Sequence, residues 1–107
     1  MKVWLDDIPP MPPWFDIHAR TVAEAIALLQ KGMVSLISLD HDLGDPDNGT
    51  GYEVARWIEE HAFWWSQGEP CGFPPLEWRI HSQNSVGLQN MVLALRNAGR
   101  FWEASKE

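Results

Sequence analysis

The run Leu36-Ile37-Ser38-Leu39-Asp40-His41-Asp42-Leu43-Gly44 takes an apolar stretch to an abrupt stop at two carboxylates flanking an imidazole. A short apolar run reads as a buried strand. In an open α/β sheet ligands bind at the carboxyl ends of strands, which puts Asp40, His41 and Asp42 on the rim of a crevice. Two further runs end in the same way, Val3-Trp4-Leu5 in Asp6-Asp7 and Leu76-Glu77-Trp78-Arg79-Ile80 in His81-Ser82. Clustered aspartate oxygens suit a hard divalent cation, and imidazole exchanges protons near neutral pH. Adjacent residues of a strand point to opposite faces, so Asp6 and Asp7 share a site only if the chain turns there. The proline-rich stretch Ile8-Pro9-Pro10-Met11-Pro12-Pro13 supplies that turn, because proline excludes helix and forces its predecessor to be extended. With Asp40 this gives three carboxylates, enough for Mg²⁺ or Mn²⁺ with several waters retained.

His41 and His81, at or just past strand ends, are the candidate general acid and base. His18 and His61 read as structural, His61 because it lies on the apolar face of a helix. Ser82 has no Gly-x-Ser-x-Gly elbow around it, so a phosphate-binding hydroxyl fits better than a nucleophile. Arg20, after the second strand, is a candidate counter-charge for phosphate. Asp45-Pro46-Asp47-Asn48-Gly49 looks like the start of a calcium loop, but its twelfth position is Arg56 where a bidentate glutamate is needed.

These residues need a scaffold, and 107 residues provide one domain with one modest core. Hydrophobic content of 45% with 21% charged residues is that of a folded globular chain. No apolar run approaches a membrane span and no signal peptide is recognisable, so a cytoplasmic location is the default expectation. The net charge of −7, with scattered basic residues, argues against gripping long duplex nucleic acid. The lone Cys71 can form no internal disulfide. The seven tryptophans read as core filling and surface packing.

In chain order, Val3–Leu5 is the first strand and Trp14–Ala19 contains a short second one. Thr21-Val22-Ala23-Glu24 is a capping box that starts a helix over Val22–Gln30, ended by Lys31-Gly32. Val34–Leu39 is the third strand. Thr50-Gly51-Tyr52-Glu53 is a second capping box, and Val54, Trp57, Ile58, His61 and Trp65 recur at helical spacing to about Ser66. After the stiff connection 67–75, Leu76–Ile80 is the fourth strand. Asn84 or Ser85 caps a last helix with Leu88, Met91, Val92 and Leu95 on one face, Gly99 as its stop, and Phe101 and Trp102 tucking the tail down. Strands joined by helical crossovers make a parallel sheet. The expected fold class is therefore α/β, a small three-layer open parallel sheet.

Acids after strand one, an aspartate after strand three and a hydroxyl after strand four resemble the receiver domain of two-component signalling, a flavodoxin-like fold. Asp6 and Asp7 match its metal-binding acid pair, Asp40 its phosphoacceptor and Ser82 its phosphate-sensing hydroxyl. Two departures are visible: the first helix is lacking, and so is the usual fifth strand with its lysine, since Lys31 and Lys106 are the only lysines beyond Lys2. The sequence more closely resembles the variant group described as the cyclic-phosphate-processing receiver domain. The residues that carry this are Val3–Asp7 with Pro9, Thr21–Ala25, Ser38–Gly44, Gly49–Tyr52, and Ile80–Ser82 with Asn84.

The resemblance implies a metal-assisted phosphoesterase acting on a small cyclic phosphate, such as a 2′,3′-cyclic nucleotide or an RNA end, in the setting of RNA repair. Asp6, Asp7 and Asp40 would hold Mg²⁺ or Mn²⁺, His41 would orient or deprotonate water, and His81 would protonate the departing ribose oxygen. Asp42 would orient a histidine, and Ser82 and Asn84 would hydrogen-bond the phosphate. The alternative is a non-enzymatic module that binds a phosphorylated ligand or partner protein at the same rim, without phosphotransfer. A third possibility keeps phosphotransfer onto Asp40.

Overall fold

The structure is a computed structural model that describes residues 1–105. Its strands are β1 (Lys2–Leu5), β2 (Ile17–Ala19), β3 (Leu36–Leu39) and β4 (Glu77–Ile80). Its helices are α1 (Val22–Gln30), α2 (Gly51–Ser66) and α3 (Ser85–Ala104), with one turn of 3₁₀ helix at Pro46–Asn48. The four strands form one sheet in the order β2-β1-β3-β4, every neighbouring pair parallel. This is the open α/β, receiver-like sheet expected from the sequence, with no helix between β1 and β2 and no fifth strand among the described residues.

Register does the positioning. Leu5 is paired with Ala19 and with Leu39, and Leu39 with Ile80, so all four strands end on one level. Arg20, Asp6, Asp40 and His81 follow those ends in a row across the sheet. Alternation splits the strands into two faces. Val3, Leu5, Ala19, Ile37 and Leu39 are buried in the core, which also takes Ala25 and Leu29 of α1, Val54 and Ile58 of α2, and Met91 and Leu95 of α3. The helices lie side by side, α1 against α2 and α2 against α3. Trp4, His18, Ser38 and Arg79 belong to the opposite face, where the layer is not helical: Phe15, from the end of the proline-rich stretch, sets its ring edge-on to Trp4 at 5.0 Å.

Local signals explain the helix starts. The Thr21 hydroxyl accepts the Glu24 N–H at 3.1 Å, and the Glu53 carboxylate accepts the Thr50 N–H at 3.3 Å. Both helices have the limits expected from the sequence. The last helix does not. It runs through Gly99 to Ala104, and Trp102 is a buried residue of its final turns rather than part of a folded-back tail. Leu95, Ala98 and Trp102 continue one apolar stripe at helical spacing, and the Trp102 indole donates to the Phe73 carbonyl at 2.8 Å. That burial exceeds the roughly 1 kcal/mol a helical glycine costs. Among the described residues no helix is long and apolar enough to cross a membrane. Lys106 lies outside the described residues.

Candidate functional site

At the carboxyl end of the sheet, a cavity of about 510 Å³ is lined by Asp6, Asp7, Ile8, Asp40, Asp42, Gly44, His81, Gln83 and Asn84. That size is within the range of small-ligand sites. Asp6 is held in the lining by its own turn, the Ile8 N–H donating to Oδ1 at 3.0 Å. Asp40 accepts the His41 N–H at 2.9 Å and is hydrogen-bonded by the Ser82 hydroxyl. Burial, and then the neighbouring charge of Asp6, push the Asp40 carboxyl above its usual range, outweighing the lowering by the His41 N–H, His81 and Ser82.

The three carboxylates suit a cation. One oxygen from each of Asp6, Asp7 and Asp40 lies within 4.8 Å of the others. Asp7 makes no hydrogen bond or ion pair to another described residue, and it comes so close to the loop that a Cβ on Gly44 would sit 2.7 Å from its Oδ2. Gly44 has φ +79°, a left-handed conformation that itself favours glycine. Three hard oxygen donors, one unpaired and one unwilling to ionise beside its neighbour, fit Mg²⁺ or Mn²⁺.

His81 is held on three sides. Its Nε2 is 3.2 Å from Asp6 Oδ2, its Nδ1 is 2.7 Å from the Ser38 hydroxyl, and Trp4 stacks on the ring with centroids 3.6 Å apart and planes 9° from parallel. An ionised carboxylate only accepts, so Nε2 carries the proton and Ser38 donates to Nδ1. Burial lowers the His81 pKa in spite of Asp6 and Asp40, which favours the neutral ring. Neither Ser38 nor Trp4 was singled out from sequence. The available signal was parity: both fall on the strand positions opposite the core-facing residues, next to each other in register.

His41 is placed differently from the expectation. Its ring packs on the first turn of α3, where any Cβ on Gly87 would overlap it, and it is absent from the cavity lining. Its Nδ1 is 2.9 Å from Asp42 Oδ1, a hydrogen bond that holds the Asp42 carboxyl below its usual range. The pairing of Asp42 with a histidine is the one expected, and it ties His41 to a cavity-lining carboxylate. Asn84 lines the cavity while capping α3, its Oδ1 accepting the Gly87 N–H at 2.9 Å and its amide 3.4 Å from Asp42. The Ser82 hydroxyl accepts the Asn84 N–H at 3.1 Å and stands behind Asp40 rather than in the lining.

Arg20 is not brought to the site. Its side chain is exposed on the far side of β1, and its N–H is tied to Glu24 at 2.7 Å. β2 is the edge strand beyond β1, so an arginine after it stands outside the crevice between β1 and β3. His18 holds the Asp6 carbonyl at 2.7 Å through Nε2, and His61 holds the Trp57 carbonyl at 2.8 Å.

A parallel sheet with carboxylates on the ends of two neighbouring strands and a hydroxyl after a third is a receiver-like domain. The chain matches the cyclic-phosphate processing receiver domain family over residues 1–97 and belongs to it. Membership ties it to the processing of cyclic phosphates. Neither the curated proteins nor the solved structures compared with it gave a match.

Proposed function

We propose that the protein is a metal-assisted phosphoesterase that opens a small cyclic phosphate, of the 2′,3′-cyclic nucleotide or RNA-end type. The observation that carries this is the meeting of a half-buried His81 and three carboxylates in one cavity of ligand size. Mg²⁺ or Mn²⁺ held by Asp6, Asp7 and Asp40 would neutralise phosphoryl charge and make bound water more acidic. The chain's own residues supply the rest. Asn84 and Gln83 offer amide donors to the phosphate from the start of α3, and Ser82 fixes Asp40.

His81 moves the proton. Nε2 gives its proton to one ribose oxygen as the bond from that oxygen to phosphorus breaks, water adds to phosphorus, and the proton that the water loses restores Nε2. With Ser38 donating to Nδ1, the proton on Nε2 is kept toward Asp6 and the cavity, where it can be given and regained. His41 is assigned a positioning role through Asp42, in place of the base expected from sequence.

The test is turnover of a panel of 2′,3′- and 3′,5′-cyclic nucleotides and a cyclic-phosphate-ended oligoribonucleotide, with Mg²⁺, Mn²⁺ or chelator. Product formation abolished by chelator and by His81→Ala supports the reading. Saturable binding with no product, unchanged in His81→Ala, would instead support a binding module, which the withdrawal of His41 from the cavity favours. Phosphotransfer onto Asp40 has no lysine at the rim to support it.

A further inference from the structure

A second polar cavity, of about 420 Å³, lies between α2 and α3 on the helical side of the molecule. Tyr52, Arg56 and Glu59 recur along α2 at intervals of one helical turn, and Asn90, Asn97 and Arg100 lie two turns and then one turn apart along one face of α3. Arg96 completes the wall. The chain has five arginines, Arg20, Arg56, Arg79, Arg96 and Arg100, and three of them line this one groove of a protein with net charge −7. The carboxylate present is already committed: Glu59 takes the Arg56 guanidinium at 2.8 Å and the Asn97 amide at 2.8 Å. Arg96 and Arg100 have no carboxylate within salt-bridge distance among the described residues. Two guanidiniums outside any salt bridge among the described residues, a third pinned by Glu59 and the Tyr52 hydroxyl, and the Asn90 amide present donors to one space.

We propose that this groove is a binding site for a small ligand carrying at least two phosphate groups. Guanidinium forks match phosphoryl oxygens two at a time, and Arg96 and Arg100, one turn apart on the same wall, suit two linked phosphate groups better than one. The site is separate from the acid-rimmed cavity, with which it shares no lining residue, and it does not depend on any cation. Exposed Leu93 in the lining and the Tyr52 ring would also accommodate a base attached to the phosphates.

The experiment is a titration of the isotope-labelled protein, in EDTA and at constant ionic strength, with inorganic pyrophosphate and separately with ADP. Both should saturate, with amide shifts confined to residues 52–59 and 90–100. Arg96→Gln/Arg100→Gln, two exposed positions whose fold is checked by circular dichroism, should weaken pyrophosphate at least about tenfold, the equivalent of about 1.4 kcal/mol. Asp40→Asn should leave it unchanged. ADP tighter than pyrophosphate, with shifts at Tyr52 and Leu93, identifies a nucleoside polyphosphate; equal affinities identify the phosphates alone. No saturation by about 10 mM, shifts at residues 6–8 and 81–84 instead, or unchanged binding in the double variant would overturn the proposal. So would a polyglutamate peptide that binds where pyrophosphate does not compete, since the groove would then be a protein-docking surface.

Discussion

Replacing Asp40 by Asn should make the cation-free protein more stable while removing its response to a divalent cation. Asp40 ionises reluctantly in the fold, first because it is buried and then because Asp6 is close. A carboxyl whose pKa is raised by folding stabilises below its unfolded pKa and loses that contribution as pH rises through the folded value. At pH 7 the charged form is therefore a net cost. Two unit charges 4.8 Å apart, the outer limit for the three carboxylate oxygens, repel by about 0.9 kcal/mol at the dielectric of water and about 3.5 kcal/mol at an effective dielectric of 20. The site opens to solvent, and Asn also weakens the charge-assisted bonds from the His41 N–H and Ser82. A net gain of about 1 kcal/mol is left, or a Tm rise of roughly 4–8 °C for a domain of this size. The assay is thermal unfolding at pH 7 in EDTA and then in Mn²⁺ or Mg²⁺. Wild type should gain about 2.7 kcal/mol at a cation concentration one hundred times Kd, and Asp40→Asn almost nothing. A lower Tm for Asp40→Asn in EDTA, or an equal cation response in both proteins, would refute the electrostatic reasoning.

Three further outcomes follow from contacts already described. Gly44→Ala should cost about 1–3 kcal/mol for its left-handed backbone and, by displacing Asp7, weaken Mn²⁺ binding in a calorimetric titration. Ser38→Ala should lower stability by about 1–2 kcal/mol in denaturant melts and reduce turnover, with Ser38→Thr restoring part of both, because it removes the hydroxyl bonded to His81 Nδ1. Trp102→Ala should cost about 3–5 kcal/mol, since it empties a buried site and orphans the Phe73 carbonyl; Trp102→Phe, which refills most of the volume, should recover the larger part.

What could be read from sequence was whatever is encoded locally. The capping boxes at Thr21 and Thr50 set helix starts within a few residues of chain, and the apolar runs that stop at Asp6, Asp40 and His81 gave the strand ends. Parallel register then brought those three together, because every strand ends on the same level. Gly99 misled for the opposite reason: its effect on α3 is overridden by Trp102 packing at a distance, against Phe73. The positions of His41 and Arg20 also depend on distant partners. Gly87 leaves the space that draws the His41 ring onto α3, and the sheet order puts β2 outside the crevice, which separates Arg20 from the site. Ser38 and Trp4 were legible only through strand parity, which needs the register to show that they meet at His81.

The proposed reaction turns on His81 transferring a proton at a carboxylate-held cation. Its most direct measurement is the rate at which pure protein converts 2′,3′-cyclic nucleotides to monophosphates in Mn²⁺, for wild type and His81→Ala with matched circular dichroism. Wild type should give multiple turnovers, none in chelator, and His81→Ala should lose about 10²–10⁴-fold, the usual share of a general acid–base group. Equal rates in the two proteins, or no product with any cyclic phosphate while the ligand still binds, would contradict it.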